Sequence, residues 1–486
     1  MTATSPILVW LRRNLRVGDN RALKAAADRG GPVIPVFIWD DDPASGCASR
    51  WWLQCSLKGL RRDLLAIRSC LVVRKGDAFK VLAGLVLETG AEAVLWDKSF
   101  EPAQRKTDDT IRKKFKRAGI FCDALNDTLL FDPARVLNKQ GTPYKVFTPF
   151  WNYCLSLEEP AAPAKSRVKL LAPTRWPRSE EIETFGYGRQ VKWPSKMEAF
   201  WEPGVQGAAA TLRKFLGGNI DAYPEERDRP SADGTSQLSP HLHFGEISAR
   251  KVWDEVRKTM ATERRPGLIR ASEAFLRQIV WREFANSLLY HFPKTVSEPL
   301  RKEFSKFPWR NDARLLHAWQ RGETGYPIVD AGMRQLWETG WMHNRVRMIA
   351  ASFLVKDLLQ PWQTGAAWFL NTLVDADLAN NTFGWQWVAG CGADAAPYFR
   401  IFNPVLQGEK FDPKGEYVRR WVPELAQLPA RFIHSPWRAS PEILTKAGVC
   451  LGKHYPDPVV DHDAVRKRAL VAYSRLRKQR GNKFVA

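Results

Sequence analysis

Short apolar runs alternate with amphipathic stretches through the first quarter of this chain. Ile7–Leu11, Val33–Trp39, Leu71–Arg74, Ala93–Trp96 and Ile120–Leu125 are predicted strands, because each is a brief run of β-branched and other apolar residues bounded by polar punctuation. Between them, Asn20–Asp28, Arg50–Ile67, Phe79–Glu88 and Gln104–Ala118 repeat apolar positions at helical spacing. This βαβ rhythm predicts a parallel sheet covered by helices on both faces, an α/β doubly wound domain over residues 1–130. No GxGxxG follows the first strand, so a standard dinucleotide site is not supported there. Such sheets still bind ligands at the carboxyl ends of their strands, where the topology switches direction.

From 131 to 205 the chain is rich in Pro, Lys and Trp and has little periodicity, and it reads as a connector. Residues 206–486 are dominated by helical patterns, including Ala208–Leu216, Ala249–Lys258, Ala271–Tyr290, Asp330–Trp337 and Arg345–Leu359. A second, mainly α-helical domain is therefore expected. The tail VRKRALVAYSRLRKQRGNK is a basic amphipathic helix, suited to a solvated surface or to resting on DNA.

Charge narrows the partners. The chain of 486 residues has 74 Lys and Arg against 52 Asp and Glu, a formal charge of +22, which suits a polyanion and above all nucleic acid. The seven cysteines are scattered without a CxxC pair, which speaks against a disulfide framework or a zinc site. No secretory signal and no span of about 20 apolar residues is present, so a cytoplasmic, membrane-free setting is expected. The 21 tryptophans exceed what core packing normally asks for; indoles also stack on bases and carry electrons.

Three segments carry candidate chemistry. In DGTSQLSPHLHFGEIS, residues 233–248, Thr235, Ser236 and Ser239 place hydroxyls and backbone N–H groups just before a helix, which suits phosphate and equally a simple N-cap. In GWMHNRVRMIAASFLVKDLL, residues 340–359, helical spacing puts Trp341, Asn344 and Met348 on one face, with Arg345 and Arg347 pointing away. A methionine stripe is ordinary core, but a buried amide needs a partner. In DADLANNTFGWQWVAGCGADAAPYFRIFNP, residues 375–404, Asp375, Asp377, Asn380 and Asn381 make a polar cluster beside Trp385 and Trp387. A bound cofactor with hydrogen-bonding edges would satisfy it, as would a loop of Asx turns.

These strings, in this order and together with WLRRNLRVGDN and TGYPIVDAGMRQLWETGWMHNRVRM, resemble the photolyase and cryptochrome family along nearly the whole chain. The resemblance implies FAD in the helical domain. Tyr223, Thr235, Ser236, Leu238 and Ser239 would surround its phosphates and ribityl chain, Asp375 and Asp377 would lie near its edges, and Arg347 would pair with Asp375. Asn381 would sit beside the flavin N5, and Trp385, Trp362 and Trp309 would form the electron relay to the surface.

The resemblance also implies a lesion pocket walled by Trp281 and Trp387, with Asn344 and Met348 against the pyrimidines and Arg282, Arg345 and Arg400 towards DNA phosphates. The implied activity is light-driven repair of cyclobutane pyrimidine dimers in ultraviolet-damaged DNA, by a monomer, at the nucleoid if the source is bacterial. Gln278 departs from the Glu that dimer photolyases usually carry there and is what six-four photolyases and animal cryptochromes tend to show. Six-four repair and blue-light reception are thus the alternatives, though no long polar tail suggests signalling. SRWWLQCSL resembles plant cryptochromes and the bacterial photolyases near them, implying a methenyltetrahydrofolate antenna in the first domain, with Glu101 near a folate contact.

Overall fold

The computed structural model describes residues 5–40, 46–163, 168–185, 193–398 and 400–481. Five parallel strands, β1 (Ile7–Leu11), β2 (Val33–Trp39), β3 (Val72–Lys75), β4 (Ala93–Asp97) and β5 (Phe121–Leu125), form one sheet in the order β3-β2-β1-β4-β5. The helices α1 (Arg21–Asp28), α2 (Cys47–Ala66), α3 (Ala78–Thr89) and α4 (Pro102–Arg117) make the crossovers. The expected doubly wound domain is present, with no element end shifted by more than three residues. Asn20 caps α1 by accepting from the Leu23 N–H at 3.0 Å, and Asp77 does the same for α3 at Lys80. Pro35 lies inside β2, but β3 pairs only from Val36 onward, so the missing N–H precedes that ladder. Leu8, Trp10, Ile34, Val36, Val94 and Trp96 bury one sheet face against Ile111 and Phe115 of α4.

Compactness divides the chain differently from secondary-structure class. One unit comprises Met1–Asp221, Ser236–Pro293 and Val374–Asp377; the other comprises Ala222–Thr235, Lys294–Leu373 and Leu378–Ala486. The sheet unit thus includes further helices, among them α5 (Phe147–Ser156), α6 (Ala249–Thr262) and α7 (Leu268–His291). The first lies in the stretch expected to be a connector. Buried polar contacts draw the others in. Asp127, just past β5, is closed to solvent and pairs with Arg16 at 2.9 Å and with Arg250 of α6 at 2.7 Å. Glu283 of α7 accepts from the Leu130 and Phe131 N–H groups at 2.9 and 3.2 Å. Gly245, at φ +66°, lies so close to the Arg13 carbonyl that a Cβ would collide with it.

The second unit is helical, built around α8 (Pro327–Thr339), α9 (Asn344–Ser352), α10 (Trp362–Thr372), α11 (Leu378–Ala389), α12 (Pro404–Phe411) and α13 (His462–Gly481). A π-helical turn, Phe353–Asp357, continues α9. At the start of α8 the buried Asp330 accepts from Thr324 N, Thr324 Oγ1, Gly325 N and the Tyr455 hydroxyl. Each lone pair is used, which is how a carboxylate survives burial. Phe399 and the last two residues of the basic tail, 482–483, lie outside the described residues.

Removing Asp127 would leave the buried Arg16 guanidinium without its carboxylate and Arg250 with Asp19 alone, at 3.2 Å. Asp127→Ala is expected to cost about 3–5 kcal/mol, read as a lowered thermal or urea midpoint against wild type.

Candidate active site

In the sheet unit the crest between β1 and β4 is the topological switch point, and it is packed with charge. Arg12 pairs with Asp108 at 2.8 Å; Arg13 bridges Glu101 at 2.5 Å and Asp377 at 3.9 Å. His243 Nδ1 lies 3.8 Å from the same Asp377 carboxylate. Burial pushes that carboxyl up, but His243, Arg282 and Arg13 pull it further down, well below the usual carboxylate range. Burial and the Arg13 cation push His243 below its ordinary value. Asp377 is therefore a fixed negative charge, and a turn joins its N–H to the Asp375 carbonyl at 2.6 Å.

The 236–239 turn has the backbone of an anion cradle. Gln237 holds φ +52° and Leu238 is right-handed, so successive N–H groups converge. Ser236 Oγ accepts from the Leu238 N–H at 3.4 Å, and Ser239 opens a short helix. A left-handed residue that is not glycine is strained, and such strain gathers at binding sites. These residues fit a bound phosphate.

On α7, Trp281 stacks on Phe147 with ring centroids 3.5 Å apart and planes at 7°. Gln278, one turn earlier, donates to the Ala274 carbonyl at 3.4 Å. Arg282 is 11% exposed and donates to the Thr128 carbonyl at 3.0 Å, so its guanidinium is turned into the unit. A cavity of about 570 Å³ opens among α5, α6 and α7, lined by Trp151 and Trp253 and by charges of both signs, Arg257, Arg270 and Arg277 against Glu158, Glu159 and Glu273, with Arg257 paired to Glu159 at 2.8 Å. The Trp253 indole N–H is buried and has no hydrogen-bond partner among the described residues, and Arg277 lies 5.8 Å from the Trp151 ring centroid. A flat aromatic molecule fits between the indoles of that lining.

In the helical unit, Tyr223 is buried with the Arg227 guanidinium 5.4 Å from its ring centroid. Thr235 ends the same segment, where Gly234 packs so tightly on Glu226 that no Cβ could be placed. Trp341 precedes α9 rather than sharing its face, because His343 ends the turn and caps the helix, its Nδ1 accepting from Arg345 N at 3.2 Å. The shared face begins at Asn344, whose amide reaches Met348 Sδ at 3.9 Å. Arg345 pairs with Asp228 at 2.8 Å and lies 4.3 Å from the Phe411 ring centroid. Arg347 Nε donates to the Met342 carbonyl at 2.7 Å.

On α11, Asn381 Nδ2 donates to the Ala366 carbonyl at 3.0 Å, which fixes the amide with its oxygen left to accept. Trp385 is buried at 2% exposure and packs so closely on Gly365 of α10 that a Cβ there would strike the indole. Trp362 opens α10 one turn before Gly365 and is equally buried. Trp309 is half-exposed, and its segment is tied to the approach to α10 by Arg310 N to Leu359 O at 2.7 Å and Gln360 Nε2 to Asp312 O at 2.8 Å. Two of the three indoles are thus buried and the third is partly exposed. Trp387, two residues past Trp385 and half-buried, faces another side of α11, and Arg400 is exposed on the following loop.

Residues 7–167 match the family model described as DNA photolyase, and residues 275–475 match the FAD binding domain of DNA photolyase. A deoxyribodipyrimidine photo-lyase of Agrobacterium fabrum is 47% identical over 98% of this chain and 99% of its own. The chain belongs to the photolyase and cryptochrome family. Cryptochrome-2 of Arabidopsis thaliana is 39% identical over 97% of this chain and 79% of its own. A class III photolyase of Agrobacterium tumefaciens superposes with a TM-score of 0.95 at 46% identity, covering 98% of this chain and 99% of that one.

Sequence reasoning passed over Arg13, His243 and Glu283 in this photolyase fold. Arg13 sat in a quoted motif, and the alternating cations of WLRRNLR after a predicted strand were a usable signal. His243 and Glu283 gave none, since their partners lie 134 and 153 residues away. Burial raises Glu283 to about 7.

Because the Asp377 carboxyl stands below its unfolded value, near 3.9, its contribution is present above about pH 4 and fades as pH falls further. Asp377→Asn is expected to lower the unfolding midpoint at pH 7, with the gap to wild type narrowing below pH 4. A gap that stays constant with pH would show that the charge is not what stabilises.

Proposed function

We propose that this photolyase-family chain reverses cyclobutane pyrimidine dimers in ultraviolet-damaged DNA, driven by blue light and FAD, acting as a monomer on the nucleoid of a bacterial cell. The observation that carries the reading is the end-to-end similarity to a deoxyribodipyrimidine photo-lyase. When bound, reduced and light-excited FAD supplies the electron that splits the dimer and takes it back. The 235–239 turn and Tyr223 hold its phosphates, Asp375 and Asp377 its edges, and the free Asn381 oxygen accepts from a ring N–H of the reduced form. Trp385, Trp362 and Trp309 carry reducing equivalents inward from solvent.

A dimer pairs and stacks poorly, so extruding it costs less than flipping a sound base, and this difference gives selectivity. Trp281 and Trp387 wall the slot, and Asn344 and Met348 face the pyrimidines. Arg282, Arg345 and Arg400 serve the phosphates, and Arg282 also adds to the positive potential at Asp377. The net charge of +22 supplies sequence-independent affinity.

We place the antenna pigment in the cavity of Trp151 and Trp253 rather than at Glu101, whose carboxylate is engaged by Arg13. A folate has the flat heteroaromatic body that the two indoles would take. Trp151→Ala is expected to reduce folate retained on purification several-fold at unchanged flavin content; equal loss of both would show a folding defect instead.

Trp385→Phe tests the relay. Photoreduction of the oxidised protein should slow by at least tenfold, with repair by chemically reduced protein nearly intact. Gln278 favours one specific second reading, six-four repair. Under the dimer reading, Gln278→Glu raises the quantum yield of dimer repair, since a buried, protonated carboxyl bonds a carbonyl more strongly as charge develops on it. Assays of both proteins on both lesions decide: wild-type activity on the six-four lesion, impaired by the substitution, would replace the dimer reading.

A further inference from the structure

The face of α9 that begins with Asn344 and Met348 does not end with them. Continuing by fours along α9 and its π-helical extension come Ser352 and Lys356, both buried. Both bond the loop that carries Arg400. Ser352 Oγ accepts from the Phe402 N–H at 3.5 Å, and Lys356 Nζ donates to the Arg400 carbonyl at 2.8 Å. The loop returns on itself through Arg400 N to Pro397 O at 2.9 Å, with Tyr398 buried inside and Arg400 exposed outside. A lysine at 2% exposure that spends its ammonium on one carbonyl is costly to keep, and the position of that loop is what it secures.

We propose that Lys356 is a positioning residue for DNA binding: through the Arg400 carbonyl it sets the Arg400 guanidinium in register with the Asn344 and Met348 face. The inference rests on the repair reading above. Its surroundings make the contact sensitive to pH. Burial lowers Lys356 to about 8, with Asp357 opposing and Arg400 assisting. Facing groups are few: the Tyr398 ring at 5.5 Å, Asp357, which His462 of α13 engages at 2.5 Å, and Arg468 of α13, which donates to the Asp357 carbonyl. Tyr398 is itself pushed up by burial and stays neutral. Below about pH 8 the ammonium holds the loop; as pH rises through that value the charge is lost and the hold weakens.

The test is a double-mutant cycle on binding to an oligonucleotide with one cyclobutane dimer, using the FAD-loaded protein. Lys356→Met and Arg400→Ala should each weaken binding about tenfold at ~0.1 M salt and lower the salt slope by about one phosphate, ~0.9 units. The double variant should bind no more than about twofold worse than Arg400→Ala. In wild type, affinity should fall between about pH 7.5 and 9, a fall absent from Arg400→Ala; this readout needs no variant at Lys356 to fold. Additive losses near a hundredfold, or a wild-type affinity flat across that pH range, would overturn the inference while leaving repair standing. A wild type with no preference for the damaged oligonucleotide would overturn the repair reading and the inference with it.

Discussion

Buried charge is what this structure depends on. Asp127 sits at zero exposure between Arg16 and Arg250, joining the loop after β1, the end of β5 and the start of α6. Two guanidiniums cannot be buried alone, because each loses hydration worth several kcal/mol that only a hydrogen-bonded anion restores. The carboxylate therefore fixes the sheet and helices of one unit as a single body. This explains why that unit runs past the sheet to Pro293 instead of stopping near residue 130.

The same logic reaches the chemistry. Asp377 is held ionised by His243, Arg282 and Arg13, which the chain after the 236–239 turn, α7 and the crest of the sheet bring to it, so a fixed negative charge is presented where the 375–377 turn ends. Asn381 is oriented by one backbone carbonyl, and Trp385 by a glycine that leaves it room. For Asn381 and Trp385 the neighbour that sets the group holds a sequence position with no hint of the task. Lys356 extends the pattern, a buried cation acting through a backbone oxygen on an exposed arginine.

What was legible in the sequence follows from range. The strands were readable because period and length are local, and the αβ alternation forces a parallel sheet. The 233–248 and 375–404 strings were readable because several chemical groups fall close together. Trp341 was misplaced on the α9 face because helical spacing was run back through His343, whose side chain ends the helix. Helix α5 was hidden in FTPFWNYCLS by aromatic residues with weak helical preference, and it forms because Phe147 and Phe150 pack on Trp281 and Phe284 of α7. Arg282 and Arg345 also have partners, Thr128 and Asp228, that nothing local in the sequence announced.

The central claim is that the protein turns light into bond cleavage on a DNA lesion. The most direct measurement follows the loss of a defined thymine dimer from a short duplex with chemically reduced, FAD-loaded wild type, in blue light and in darkness. The account predicts stoichiometric restoration of thymines that scales with photons absorbed, at wavelengths taken up by the reduced flavin, and none in the dark. Unchanged dimers after full illumination, with the flavin reduced and the duplex bound, would contradict it.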